Sequence, residues 1–162
     1  MSVKLRLTVL LFFFFKFCVV LNAQNVKVIK LNALEEFLKP VNDTTYVINF
    51  WATWCKPCVN ELRIVNDAHT FFKNQTVKVV LVSLDFKKDL QKRLKPFLKK
   101  NPMLPDVYLL DEIDYNAWID KVDSSWGGAI PATIIIDNNN KLFLEKELTF
   151  SELKSHITKS IH

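Results

Sequence analysis

Glycine occurs only twice in 162 residues, and cysteine and histidine three times each; these scarcities remove whole classes of chemistry. A structural zinc site takes about four Cys or His ligands. Beyond Cys55 and Cys58 there is no second Cys pair, and His69, His156 and His162 are too scattered along the chain to complete a site with them. No metal is expected. Covalent haem attachment needs a histidine directly after a Cys-x-x-Cys pair, and Val59 stands there instead. Long apolar runs are also missing. A membrane-spanning helix needs about 20 apolar residues, and the candidate that starts at Leu7 is interrupted by Lys16 after nine.

The first residues have the outline of a secretory signal peptide: Lys4 and Arg6, an apolar stretch from Leu7 to Phe15, then Leu21-Asn22-Ala23 before Gln24. Residues 1–23 are expected to direct export, either cleaved or retained as a signal anchor, with 24–162 as a single domain. Cys18 reads as an ordinary small apolar residue, because Phe15-Lys16-Phe17 does not suit a lipoprotein cleavage box. Loss of Lys4, Arg6 and Lys16 lowers the net charge from +5 to +2, too little basicity to imply nucleic acid. The remaining 139 residues fit one domain with a proper core. Only Cys55 and Cys58 remain in it.

The richest stretch is Trp54-Cys55-Lys56-Pro57-Cys58. Upstream, Tyr46 to Trp51 is a short β-branched and aromatic run suited to a buried strand. Downstream, Leu62, Val65, Ala68 and Phe72 recur at helical spacing, with Glu61, Arg63, Asn66, Asp67 and Lys73 supplying most of a polar face. A helix should begin at or near Cys55, and Pro57 suits its first turn, where a backbone N–H would lack a partner. A thiolate at a helix N-terminus is stabilised by unpaired N–H groups and the positive end of the dipole. Cys55 is thus the expected attacking sulfur, with Lys56 a nearby cation, and Cys58, one turn on, the resolving one. A purely structural disulfide is the bland alternative, but closing so short a loop removes little chain entropy.

Strands and helices alternate through the rest. Strands are expected at Val26 to Lys30, Thr45 to Trp51, Val77 to Leu84, Val107 to Leu110, Ala132 to Ile136 and Leu142 to Glu145. Helices are expected at Ala33 to Lys39 with Asn32 as cap, Pro57 to Lys73, Asp89 to Lys100 and Tyr115 to Val122. A closing helix follows a Thr149/Glu152 capping box. Asp137-Asn138-Asn139-Asn140, whose residues tolerate left-handed conformations, should turn the last two strands into a hairpin. The order predicts an α/β fold, a central mixed sheet with helices on both faces.

Phe50-Trp51-Ala52-Thr53-Trp54-Cys55-Lys56-Pro57-Cys58 and Ile130-Pro131-Ala132-Thr133 resemble the thioredoxin superfamily over most of the mature chain. Cys55 to Leu62 is similar to the motif of its TlpA/ResA-like exported thiol-disulfide oxidoreductases. The resemblance implies a thioredoxin-like fold whose extra strand and helix before the proline are the segment from Met103 to Trp126. It implies a cis peptide at Ile130–Pro131 beside the cysteines and pairing of the Ile130 backbone with substrate chain. Gly127 and Gly128, just upstream, would permit an unusual backbone approach there. Glu61 would shuttle protons or tune the thiols, although an acid in a helix's first turns also suits the dipole alone. Asn49 stands where cytoplasmic thioredoxins carry a buried acid and cannot accept a proton, a departure that sharpens interest in Glu61.

Plainer readings cover the remainder. The basic stretch Lys87, Lys88, Lys92, Arg93, Lys95, Lys99 and Lys100 reads as a solvated helix face. Trp51 should be core, and Trp54 should shield Cys55 and offer an apolar docking surface. His69 should pack at the edge of the motif helix. The expected activity is reduction of disulfides in other exported proteins, including apocytochromes, in the periplasm or its equivalent. It needs no cofactor beyond the Cys55–Cys58 disulfide, and a membrane-borne thiol reductant as electron donor. Spacing does not encode the direction of electron flow, so an oxidase or isomerase stays open. A peroxide-reducing redoxin, which would need an arginine near Thr53 and the cysteine, and a non-catalytic binding module also stay open.

Overall fold

The computed structural model describes residues 24–39 and 43–161; the expected signal segment 1–23, with Cys18, and His162 lie outside them. The elements run β1 (Lys27–Ile29), α1 (Leu31–Phe37), β2 (Thr45–Trp51), α2 (Lys56–Phe72) and β3 (Val77–Ser83). After a helical segment ending in α3 (Lys95–Lys100) come β4 (Asp106–Leu110), α4 (Tyr115–Val122), β5 (Ala132–Ile136), β6 (Lys141–Leu144) and α5 (Phe150–Ser160).

Six strands form one sheet in the order β1-β4-β3-β2-β5-β6. β1, β4, β3 and β2 are parallel; β5 runs antiparallel to β2, and β6 to β5. The expected insertion supplies β4 and α4, and β4 separates β1 from β3. Successive strand residues point to opposite faces, which splits the apolar side chains into two layers. On one face Val47, Trp51, Val79 and Leu81 pack with Leu62, Val65 and Phe72 of α2, Leu98 of α3 and Ile157 of α5. On the other, Ile48, Phe50, Val80 and Val82 pack with Leu34 of α1 and Trp118 and Val122 of α4. Each fully buried side chain of this size contributes about 1.5–3 kcal/mol relative to exposure. Helices therefore cover both faces.

Three local expectations change. α1 starts at Leu31, and Asn32 lies inside it; no side chain caps it from Lys30. The Leu31 N–H instead donates to the Glu112 carboxylate at 3.0 Å, so a carboxylate beyond β4 does what Asn32 was expected to do. The segment expected as one helix from Asp89 to Lys100 is a 3-10 turn at Lys87–Asp89, a π-helical turn at Leu90–Leu94, and α3. Pro96 accounts for the widening: it has no N–H to donate, and its ring would crowd the Lys92 carbonyl of a regular α-turn. The β5–β6 turn uses no left-handed residue. The Asp137 carboxylate accepts the Asn139 and Asn140 N–H groups at 2.7 and 2.8 Å, an Asx-type closure.

Candidate active site

Three strand ends meet at the edge of the sheet formed by the strand termini: the carboxyl ends of β2 and β3 and the start of β5. Leu84 N–H donates to the Trp51 carbonyl at 2.8 Å, tying the first two together. Antiparallel pairing sets Ala132 opposite Phe50 and brings Pro131 beside them.

Cys55 is the N-cap of α2, with Pro57 in the first turn. It is joined to Cys58 by a disulfide with 5.3 Å between their Cα atoms. The Cys58 N–H points at the Cys55 sulfur at 3.2 Å, so one of the helix's unpaired donors is already aimed at that sulfur. Cys58 is wholly buried and Cys55 nearly so. Trp54 is 55% exposed, a free apolar surface beside the sulfurs, while Trp51 is buried core; Lys56 and Pro57 are exposed. The Ile130–Pro131 peptide is cis, and the Ile130 carbonyl oxygen lies 3.5 Å from the Cys55 sulfur.

Glu61 departs from the polar face on which it was placed: it is 1% exposed. At three residues past Cys58 and one before Leu62 it lies on the stripe that turns inward, and polar partners meet it there. Its carboxylate accepts the Leu148 N–H at 2.6 Å and the Asn49 amide at 2.9 Å. The Asn49 amide also donates to the Thr133 hydroxyl at 3.0 Å. Burial pushes the Glu61 carboxyl above its ordinary value; the Leu148 and Asn49 hydrogen bonds oppose the rise, and the charge of Glu147 adds to it.

Asp85, unmarked in the sequence reading, holds the loop that presents the cysteines. Its buried carboxylate accepts the Thr53 N–H at 3.0 Å, the Thr53 hydroxyl at 2.5 Å and the Ser83 hydroxyl at 2.8 Å. An acid closing the apolar run of β3, at the strand end nearest the motif, was the available signal. Elsewhere, His69 is half-buried on α2 and the basic stretch is exposed apart from Asp89, Leu90, Leu94, Phe97 and Leu98; its Lys87 pairs with Asp111 at 2.8 Å. Among the described residues no group of three His, Cys, Asp or Glu side chains could hold a metal. Among those residues, too, no helix is long and apolar enough to cross a membrane.

A cysteine pair at a strand–helix junction, facing a cis-proline across the sheet edge, is the geometry the thioredoxin resemblance implied. The sequence profile of the AhpC/TSA family matches residues 14–143. The chain belongs to the AhpC/TSA family. Within this thioredoxin-superfamily group, the chain is similar to ResA, a thiol-disulfide oxidoreductase of Geobacillus thermodenitrificans. The two are 28% identical over 114 residues, 68% of this chain and 59% of that protein. The chain thus spans less than two thirds of that relative. ResA of Bacillus cereus is 26% identical over 85% of this chain and 75% of its own length. In fold, the family member resembles the thioredoxin-related protein of Neisseria meningitidis serogroup B, with a TM-score of 0.62 and 20% identity over 74% of this chain and 87% of that one.

Proposed function

We propose that this AhpC/TSA protein is an exported thiol-disulfide oxidoreductase that reduces disulfides in other exported proteins, apocytochromes awaiting haem among them. The observation that carries this reading is the placement of the Cys55 sulfur. It caps α2, receives the Cys58 N–H, and lies against the Ile130 carbonyl ahead of the cis-proline. The similarity to ResA proteins named as thiol-disulfide oxidoreductases supports the same chemistry.

The cycle balances through two electrons. A membrane-borne thiol reductant, itself oxidised to a disulfide, converts Cys55–Cys58 to the dithiol. The Cys55 thiolate attacks a substrate disulfide lying along the Ile130 backbone; one substrate sulfur leaves as a thiolate and takes a proton, and the other is held in a mixed disulfide. Cys58, deprotonated with help from Glu61 one helical turn away, attacks the Cys55 sulfur. The second substrate thiol departs and the Cys55–Cys58 disulfide re-forms. The two sulfurs carry the electrons, and no bound cofactor takes part. Trp54 and the Ile130–Pro131 segment form the docking surface, while Asn49, Lys56 and Pro57 tune the pair.

Peroxide reduction is the weaker alternative within this family. The Thr53 hydroxyl is already donated to Asp85, and Arg63 and Arg93, the arginines among the described residues, are exposed. A Cys58→Ser variant produced in its native envelope tests the proposal by leaving the mixed disulfide without its resolving thiol. Expected are exported proteins that remain linked to Cys55, release with reductant, and are absent when Cys55 is also replaced. A folded, exported variant that captures nothing would overturn the reductase reading.

A further inference from the structure

Both glycines of the chain sit in one loop, Trp126-Gly127-Gly128-Ala129, which leads directly into Ile130–Pro131. The reason is a carboxylate. Glu145, the first residue after β6, accepts the Gly127 N–H at 3.0 Å through one oxygen and the Ala129 N–H at 2.7 Å through the other. A Cβ on residue 127 would come within 3.3 Å of that carboxylate, and Gly128 has φ +87°, where an L side chain is strained. Successive N–H groups around a left-handed residue make a concave anion cradle, here filled by the protein's own side chain. On the inner side, the buried Trp126 indole N–H donates to the Ala129 carbonyl at 2.8 Å. The residue after these bonds is Ile130, whose carbonyl faces the Cys55 sulfur.

We propose that Glu145 is a positioning residue for polypeptide substrates: by clasping Gly127 and Ala129 it holds the backbone through Ile130 in the conformation that pairs with a substrate chain beside Cys55. The inference rests on the oxidoreductase reading and on substrate pairing at Ile130. Two adjacent glycines give the loop the largest conformational freedom the chain can offer. Without the carboxylate the freed N–H groups turn to water, and a substrate must order the loop as it binds. That cost falls on recognition of an extended chain and leaves sulfur exchange untouched, because Glu145 contacts neither cysteine.

The test compares two substrates under excess dithiothreitol: a disulfide-bonded polypeptide such as insulin, and bis(2-hydroxyethyl) disulfide, which has no backbone to pair. Glu145→Ala is expected to raise KM for the polypeptide by about three- to tenfold, the effect of an exposed charge-assisted contact, with kcat and the rate on the small disulfide retained. Glu145→Gln, which keeps one acceptor oxygen and the side chain's shape, should recover part of the loss and serves if the alanine variant folds poorly. Thermal midpoints identify a purely structural effect. An unchanged polypeptide KM in both variants, or an equal loss on both substrates, overturns the positioning role. A parent chain that reduces neither substrate overturns the oxidoreductase reading, and the inference with it.

Discussion

One helical turn beyond Cys58, the Glu61 carboxylate is held by a backbone N–H at the entry to α5 and by an amide from β2. The two hydrogen bonds favour its charged form, but the loss of water around it outweighs them, and the carboxyl rises above its ordinary value of 4.5. Folded protein therefore keeps a proton that the unfolded chain has released. Stability contributed by this group is complete below pH 4.5, falls as pH climbs from there through the raised folded value, and is level above it. Glu61→Gln removes that titration. Urea-unfolding free energies of parent and variant, measured from acid to neutral pH with the disulfide intact so that no thiol titrates, should show the variant gaining on the parent across this window. Parallel profiles would mean that the carboxyl is not raised. Glu61→Ala should be worse at every pH, because it strands the Leu148 N–H in the core, at about 1–3 kcal/mol, and leaves the Asn49 amide with Thr133 alone.

The connection between β6 and α5 touches the site on two sides: Glu145 clasps the glycine loop, and Leu148 reaches Glu61. Its geometry is held from the helix side by the capping box. The Thr149 hydroxyl accepts the Glu152 N–H, and the Glu152 carboxylate accepts the Thr149 N–H and bonds Lys146 at 2.7 Å. These partners hold the Glu152 carboxyl down to about 2. Thr149→Ala is expected to destabilise the protein by about 1 kcal/mol in urea unfolding; a change below about 0.5 kcal/mol, the low end for such caps, would show the cap to be idle. The capping box was legible because its signal lies within four consecutive residues, as were the bounds of β2, α4 and β5, where a single periodicity rules. What escaped depends on distant partners. Glu112 caps α1 from 81 residues away, Asp85 bonds Thr53 from 32, and Glu145 reaches Gly127 from 18. Cys55 and Cys58 were legible for the opposite reason, since their chemistry is written in their spacing. Glu61 was half-legible: its offset from Cys58 was visible, but its burial depends on Leu148 of α5.

At the scale of the molecule, the sheet topology brings the carboxyl ends of parallel β2 and β3 to the start of antiparallel β5, so one edge carries the cysteine helix, its anchoring aspartate and the cis-proline. That edge also bears on the direction of electron flow. The Cys58 N–H and the start of α2 stabilise a Cys55 thiolate and so favour the reduced pair, as in strong oxidants. Glu61 works the other way. Once ionised, a buried carboxylate one turn from Cys58 penalises further negative charge, raises the free energy of the dithiolate side of the couple, and lowers the potential. The pair is expected to equilibrate with glutathione or dithiothreitol buffers below about −200 mV, on the side of thioredoxin at about −270 mV rather than of DsbA at about −120 mV. Glu61→Gln, which removes the opposing charge, should shift it toward the oxidising end. The oxidised fraction can be read by thiol alkylation across a buffer series. A parent value near −120 mV would send electrons into this disulfide and make the protein an oxidant; a Gln variant with an unchanged potential would remove Glu61 from the control of the couple.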